Sequence, residues 1–121
     1  MKVLIIYISF LVLLLIPTLC FCQNIKQGDF SADQTSEGWT LDRGMGTRTQ
    51  IVFVRFEKEF ETTPQVLVSL MGYEAFPDTS GAVRISTRAE NVSPSGFVIK
   101  VWTWGSSRVN SVTGSWIAFG R

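Results

Sequence analysis

Apolar and polar residues alternate in short runs along most of this chain, and Gly, Pro, Asn and Asp break the runs about every dozen residues. One segment departs from that texture. From Val3 to Ile16 the run VLIIYISFLVLLLI carries no charge and follows Lys2. A basic start and an apolar stretch, then TLCFC before polar Gln23, predict a secretory signal peptide over Met1–Cys22. The other reading is an uncut signal anchor, for which the run is long enough; Pro17 and the residues after it fit a cleavage region better.

Residues 23–37 read as an N-terminal arm with a short strand around Ile25–Phe30, and residues 38–121 as one domain. Gly44 and Gly46 make 42–47 a loop. Gln50–Phe60 is rich in β-branched and aromatic residues, with Phe56 and Phe60 in one register and Glu57, Glu59 and Glu61 in the other. Val66–Met71 follows, with Val66, Val68 and Leu70 on one face; 72–81 reads as a loop. Ala82–Arg88 sets Val83, Ile85 and Thr87 against Arg84, Ser86 and Arg88. Asn91–Gly96 is a turn, and Phe97–Trp104 sets Phe97, Ile99 and Val101 against Val98, Lys100 and Trp102. Gly105–Gly114 reads as a loop or irregular strand, and Ser115–Gly120 closes the chain. A helical period appears nowhere, so the pattern predicts an all-β fold, a six-stranded antiparallel sandwich or barrel.

Charge and composition narrow the chemistry. A cut after Cys22 removes 22 of the 121 residues and leaves 99, with 10 of the 11 Lys/Arg (Lys2 goes) and all 10 Asp/Glu. A formal charge of zero argues against nucleic acid, which needs clustered surplus cations, and against an electrostatic membrane binder. The chain has no His, which excludes Ser-His-Asp and Cys-His nucleophile systems and His-ligated zinc. Its two cysteines, Cys20 and Cys22, both lie at the cleavage region. A cut after Cys22 leaves no thiol; a cut after Cys20 leaves one odd Cys22 near the new terminus. A small secreted domain without disulfides has a natural substitute in oligomerisation.

The carboxylates do not make an enzyme. A glycosidase needs two of them facing one cleft, and Glu57, Glu59 and Glu61 read as a solvated strand face. Two other features carry more. Trp102 and Trp104, at i and i+2, point to the same side of a strand just before Gly105. An exposed indole is an apolar platform for the C–H face of a sugar, whereas a buried one caps the core. Arg84 and Arg88 stand in an otherwise small, apolar strand. A guanidinium offers several donors in a fixed fork that grips vicinal hydroxyls; Arg88 reads rather as a surface or inter-subunit ion pair. Asn91-Val92-Ser93 matches the N-glycosylation sequon with Pro94 directly after it, and Asn91 reads equally as an unmodified turn residue.

The stretch from Val83 to Gly120 resembles the H-type lectins, the domain of snail agglutinins and of the C-terminal part of slime-mould discoidins, and the match extends over about residues 38–120. The similar elements run in order: Gly38-Trp39; Phe56 and Phe60 leading to Pro64, Val66, Val68, Ser69 and Leu70; Arg84 and Arg88 with Val92-Ser93-Pro94 and Gly96-Phe97; Thr103-Trp104; and Ser115-Trp116-Ile117. The resemblance implies a six-stranded sandwich assembling as a homotrimer or as paired trimers. It implies binding of galactose or N-acetylgalactosamine glycans with no metal or other cofactor and no catalysis. The family's strand Arg corresponds to Arg84 and its stacking Trp to Trp104. Gly105 stands where snail lectins place a His that contacts the acetamido group. The family's loop Asp falls near Met45, with Asp42 the nearest carboxylate, and a wall Tyr corresponds to Asn110. The other reading of the same sandwich is a secreted structural or interaction module with a degenerate sugar site.

Overall fold

The computed structural model describes residues 23–121. The expected signal peptide, Met1–Cys22, lies outside the described residues. Six strands follow: β1 (Asn24–Asp33), β2 (Arg48–Arg55), β3 (Gln65–Phe76), β4 (Ile85–Ser93), β5 (Gly96–Thr103) and β6 (Arg108–Gly120). They form two three-stranded antiparallel sheets, ordered β1-β6-β3 and β2-β5-β4. Among the described residues there is no helix, hence none long and apolar enough to cross a membrane.

Period-two alternation explains the layering. On β5, Phe97, Ile99, Val101 and Thr103 are buried while Val98, Lys100 and Trp102 turn outward. From the other sheet come Phe30 and Ala32 of β1 and Val109, Val112 and Ala118 of β6, with Val66, Val68 and Leu70 of β3 packed against them. Each large apolar side chain so buried stabilises the fold by about 1.5–3 kcal/mol. Within the β1-β6-β3 sheet, Gly114 makes room for its cross-strand partner: a Cβ there would lie 2.3 Å from the Phe30 ring and 2.4 Å from Ser69 O, so a larger residue would displace Phe30 or the neighbouring strand.

The two ends of the sandwich differ in chemistry. At the Phe97 end, Phe56, Phe60, Phe97 and Trp116 close the core, with ring centroids 5.0–5.9 Å apart. At the Thr103 end the buried side chains include Arg48, Thr103 and Ser107. Arg84, Trp104 and Gly105 lie next to this end.

Several expected boundaries shift. β1 is longer than Ile25–Phe30 and pairs over ten residues with β6, so most of 23–37 is sheet. β2 stops at Arg55, and Glu57, Glu59 and Glu61 are not on a strand at all. Phe56 and Phe60 are pulled inward as a loop that plugs the core, which breaks the ladder before the glutamates. Residues 72–76 continue β3 rather than forming a loop, because β6 begins at Arg108 and pairs with them across two irregularities. β4 starts after Arg84 and runs on to Ser93, past the expected turn start at Asn91. Asn91 is exposed, with φ of 51°, within an irregularity of the β4–β5 ladder.

Candidate functional site

Arg48 faces Thr103 across the β2–β5 ladder, and its side chain therefore enters the sandwich at the polar end. All five of its N–H donors are used. Nε donates to Gly46 O (3.0 Å), Nη1 to Arg43 O (2.7 Å) and Gly44 O (3.0 Å), and Nη2 to Gly105 O (3.0 Å) and Ser107 O (2.9 Å). One guanidinium thus ties the 43–46 loop to the 105–107 loop, and the Gly46 amide adds a bond to Gly105 O at 3.0 Å. Among the described residues no carboxylate lies within ion-pair distance of Arg48.

Arg84 sits one residue before β4. Carried one step beyond Ile85↔Thr103, the ladder register sets it opposite Trp104. Its backbone is fixed on both sides: its amide donates to Ser107 Oγ (3.1 Å), and Thr103 Oγ1 donates to its carbonyl. Its Nε donates to Asp78 Oδ2 at 2.7 Å. Asp78 closes a turn in the β3–β4 connection, accepting from the Ser80 amide (2.9 Å), the Ser80 hydroxyl and the Ala82 amide (3.1 Å). The Ser80 hydroxyl, and after it Arg84, hold the Asp78 carboxyl far below the usual carboxylate range. Asp78 is nearly covered at 7% exposure, whereas the Arg84 and Trp104 side chains are 37% exposed. Neither Nη of Arg84 has a partner among the described residues. Gly105, at φ +67°, closes the group: a Cβ there would lie 3.4 Å from both Arg84 Cδ and Asp78 Oδ2.

Of the five residues expected at the site, Arg84, Trp104 and Gly105 come together. Asp42 and Asn110 form a different set. Gln34 Nε2 donates to Asp42 Oδ2 (3.2 Å) and to Asn110 Oδ1 (3.1 Å), and Asn110 Nδ2 donates to Glu74 Oε1 (3.3 Å). The Asp42 carboxylate pairs with Arg43 at 2.9 Å, a hydrogen bond that holds it below its ordinary range, and no bond joins it to Arg84. Sequence reasoning missed Asp78 and Arg48. Asp78-Thr79-Ser80-Gly81 signals a side-chain-capped turn, but nothing local says that Arg84 folds back onto it. Arg48 reads as one more strand cation.

Among the described residues no three His, Cys, Asp or Glu groups could share a metal ion. What the site offers is a fixed fork of donors beside a partly exposed indole. That suits hydrogen bonding and stacking.

The sequence model of the H-type lectin domain matches residues 51–119, from within β2 to the end of β6. The Fuscovulum blasticum protein named ATP synthase subunits region ORF 7 is 34% identical over 85 residues, which is 70% of this chain and 72% of that one. Discoidin-2 of Dictyostelium discoideum is 32% identical over 95 residues, 78% of this chain and 35% of that one. The native structure of recombinant discoidin II from the same organism superposes with a TM-score of 0.72 at 28% identity, over 80% of this chain and 36% of that one. The chain therefore spans about a third of the length of the discoidins it matches. The Pseudomonas phage phi297 tailspike gp61 shares the fold at 16% identity and a TM-score of 0.54, over 82% of this chain and 16% of that one. With the domain model covering more than half of its length and the sandwich matching discoidin II, the chain belongs to the H-type lectin domain family.

Proposed function

We propose that this carbohydrate-binding lectin domain is secreted and multivalent and recognises galactose- or N-acetylgalactosamine-type glycans on cells or microbes through Arg84 and Trp104. One observation carries the reading: the Arg84 guanidinium is locked by Asp78 through Nε while both Nη groups stay open, with Trp104 opposite Arg84 in the ladder register. The fork donates to two adjacent sugar hydroxyls, and the indole takes the apolar face of the ring. The ligand leaves as it came, with no bond made or broken.

Each hydroxyl pairing nets about 1 kcal/mol after water is displaced, more to a charged group. A single shallow site therefore binds with a Kd of order 0.1–1 mM. Linked sites raise apparent affinity by roughly 10²–10⁴, so agglutination or cell recognition depends on assembly as a homotrimer or hexamer. Support for assembly comes from the outer face of the β1-β6-β3 sheet, where Ile25, Leu67 and Met71 are more than 60% exposed. Light scattering on the secreted particle tests it; a monomer would refute the multivalent part.

The second reading, an interaction module with a degenerate site, is favoured by Asp42, which pairs with Arg43 instead of reaching Arg84. A glycan array separates the two. The lectin reading expects galactosides to bind and Arg84→Ala to abolish binding while the circular dichroism spectrum stays unchanged. An array without hits on the folded protein favours the module. N-terminal sequencing of the secreted protein tests the cleavage at Cys20 or Cys22, and its mass tests whether Asn91 carries a glycan.

A further inference from the structure

The polar end has an imbalance between donors and acceptors. Five carbonyl oxygens that its loops would otherwise present to a ligand, those of Arg43, Gly44, Gly46, Gly105 and Ser107, are turned inward onto Arg48. A trans peptide sets its N–H opposite its C=O. The amides of Gly44, Met45, Thr47 and Ser106 therefore point away from Arg48, and none of them donates to another group among the described residues. The one carboxylate beside Arg84, Asp78, already carries four protein donors. The exposed polar groups around Arg84 and Gly105 are thus mostly donors.

Charge leans the same way. Arg48 and Arg84 flank Gly105, one on its carbonyl and the other against its Cα side, and Asp78 neutralises only one of them. Arg43 and Asp42 cancel each other. Immediately around Gly105, Arg48, Arg84 and Asp78 leave a single positive charge, in a domain whose formal charge is zero from residue 23 onward. A neutral sugar brings hydroxyls that must donate as well as accept, and their donors find few partners here. A carboxylate or sulfate ester accepts only, and it matches a guanidinium fork bidentately.

We infer that the site prefers acidic saccharides: a galactose-type sugar bearing a carboxylate or a sulfate ester, with the anionic group on the two Nη atoms of Arg84. This rests on the lectin reading above and names the ligand class for that same site. Gly105 fits it, since a side chain there would stand over Arg84 and Asp78.

The experiment is a matched ligand set titrated into the mature protein: methyl galactoside, its sulfate ester, and methyl galacturonide, each at 50 and 500 mM NaCl. The expected result is at least tenfold tighter binding of one or both acidic ligands at low salt, an advantage that shrinks at high salt and disappears in Arg84→Ala. Arg88→Ala, on the outer sheet face, retains it. Which acidic ligand gains tells sulfate from carboxylate recognition. Equal or tighter binding of the neutral galactoside overturns this inference and leaves the lectin reading standing. Binding of none of the three, with an empty neutral glycan array, overturns both.

Discussion

Arg84 with Trp104 and Arg88 with Trp102 are the same two side-chain types placed twice on one sheet, and the structure treats them in opposite ways. Arg88 lies on the outer face of β4. Its Nε donates to Glu90 Oε1 at 2.8 Å, its Nη2 donates to the same oxygen, and its guanidinium stacks over Trp102 with 5.3 Å to the ring centroid. Lys100 approaches the same indole at 5.5 Å and Glu90 at 3.7 Å. That pair is complete within the protein. Arg84 spends only Nε on Asp78. A binding site needs donors that are held still yet left open, and strand-end placement with a buried partner carboxylate supplies both conditions.

That contrast is broken most severely through Arg48. Arg48→Met takes a donor from five carbonyls and leaves four of them with none among the described residues, Gly105 O keeping the Gly46 amide; it should cost about 3 kcal/mol, since unsatisfied buried groups cost about 1–3 kcal/mol each and some of these will find water. For a domain near 100 residues that lowers Tm by roughly 10–20 °C. Thermal unfolding checks it, and galactoside binding should fall with it because the 105–107 loop loses its anchor. Arg48→Lys should recover little, having a compact ammonium in place of the planar fork.

Asp78→Asn comes next. The side chain keeps its shape but loses the charge that orients Arg84, so galactoside affinity should drop roughly tenfold, the size expected for losing one charge-assisted hydrogen bond. Titration calorimetry reads the affinity, and an unchanged melting curve would show that the fold is intact. Full affinity in Asp78→Asn would make the carboxylate incidental.

A smaller effect is expected from pH. Asp78 titrates below its ordinary value in the folded protein, so its contribution is fully present above the unfolded value of about 3.9 and is lost only as pH falls through the lower folded one. With no His in the chain, binding should vary less than about twofold from pH 8 to pH 5. A midpoint inside that window would point to a titrating group that the site does not contain. Smallest of all, the triple change of Glu57, Glu59 and Glu61 to Gln should leave affinity and fold unchanged, since all three are exposed and away from the polar end.

How much of this was legible in the chain depended on how local the cause was. The β5 alternation and the inward set Val66, Val68, Leu70 read directly, because a half-buried strand writes its faces into every second residue. The first half of β6 did not: Arg108, Asn110, Ser111 and Thr113 are polar, and only pairing with β1 and β3 makes them strand. Arg84 and Trp104 were legible as residue types in extended runs, and the register then set them opposite one another. Asp42 and Asn110 were placed by position in a family pattern. What decides their surroundings is Gln34, which is 76 residues from Asn110, and no local pattern carries that contact. Arg48 was hidden for a related reason: its five partners lie on two loops 57–59 and 2–5 residues away.

The most direct measurement is NMR of the arginine guanidinium and tryptophan indole N–H signals while a galactoside is titrated into the mature protein. The account predicts that Arg84 and Trp104 shift in step with one binding curve while Arg88 and Trp102 stay where they are. Shifts at Arg88 and Trp102 with Arg84 and Trp104 silent would contradict it.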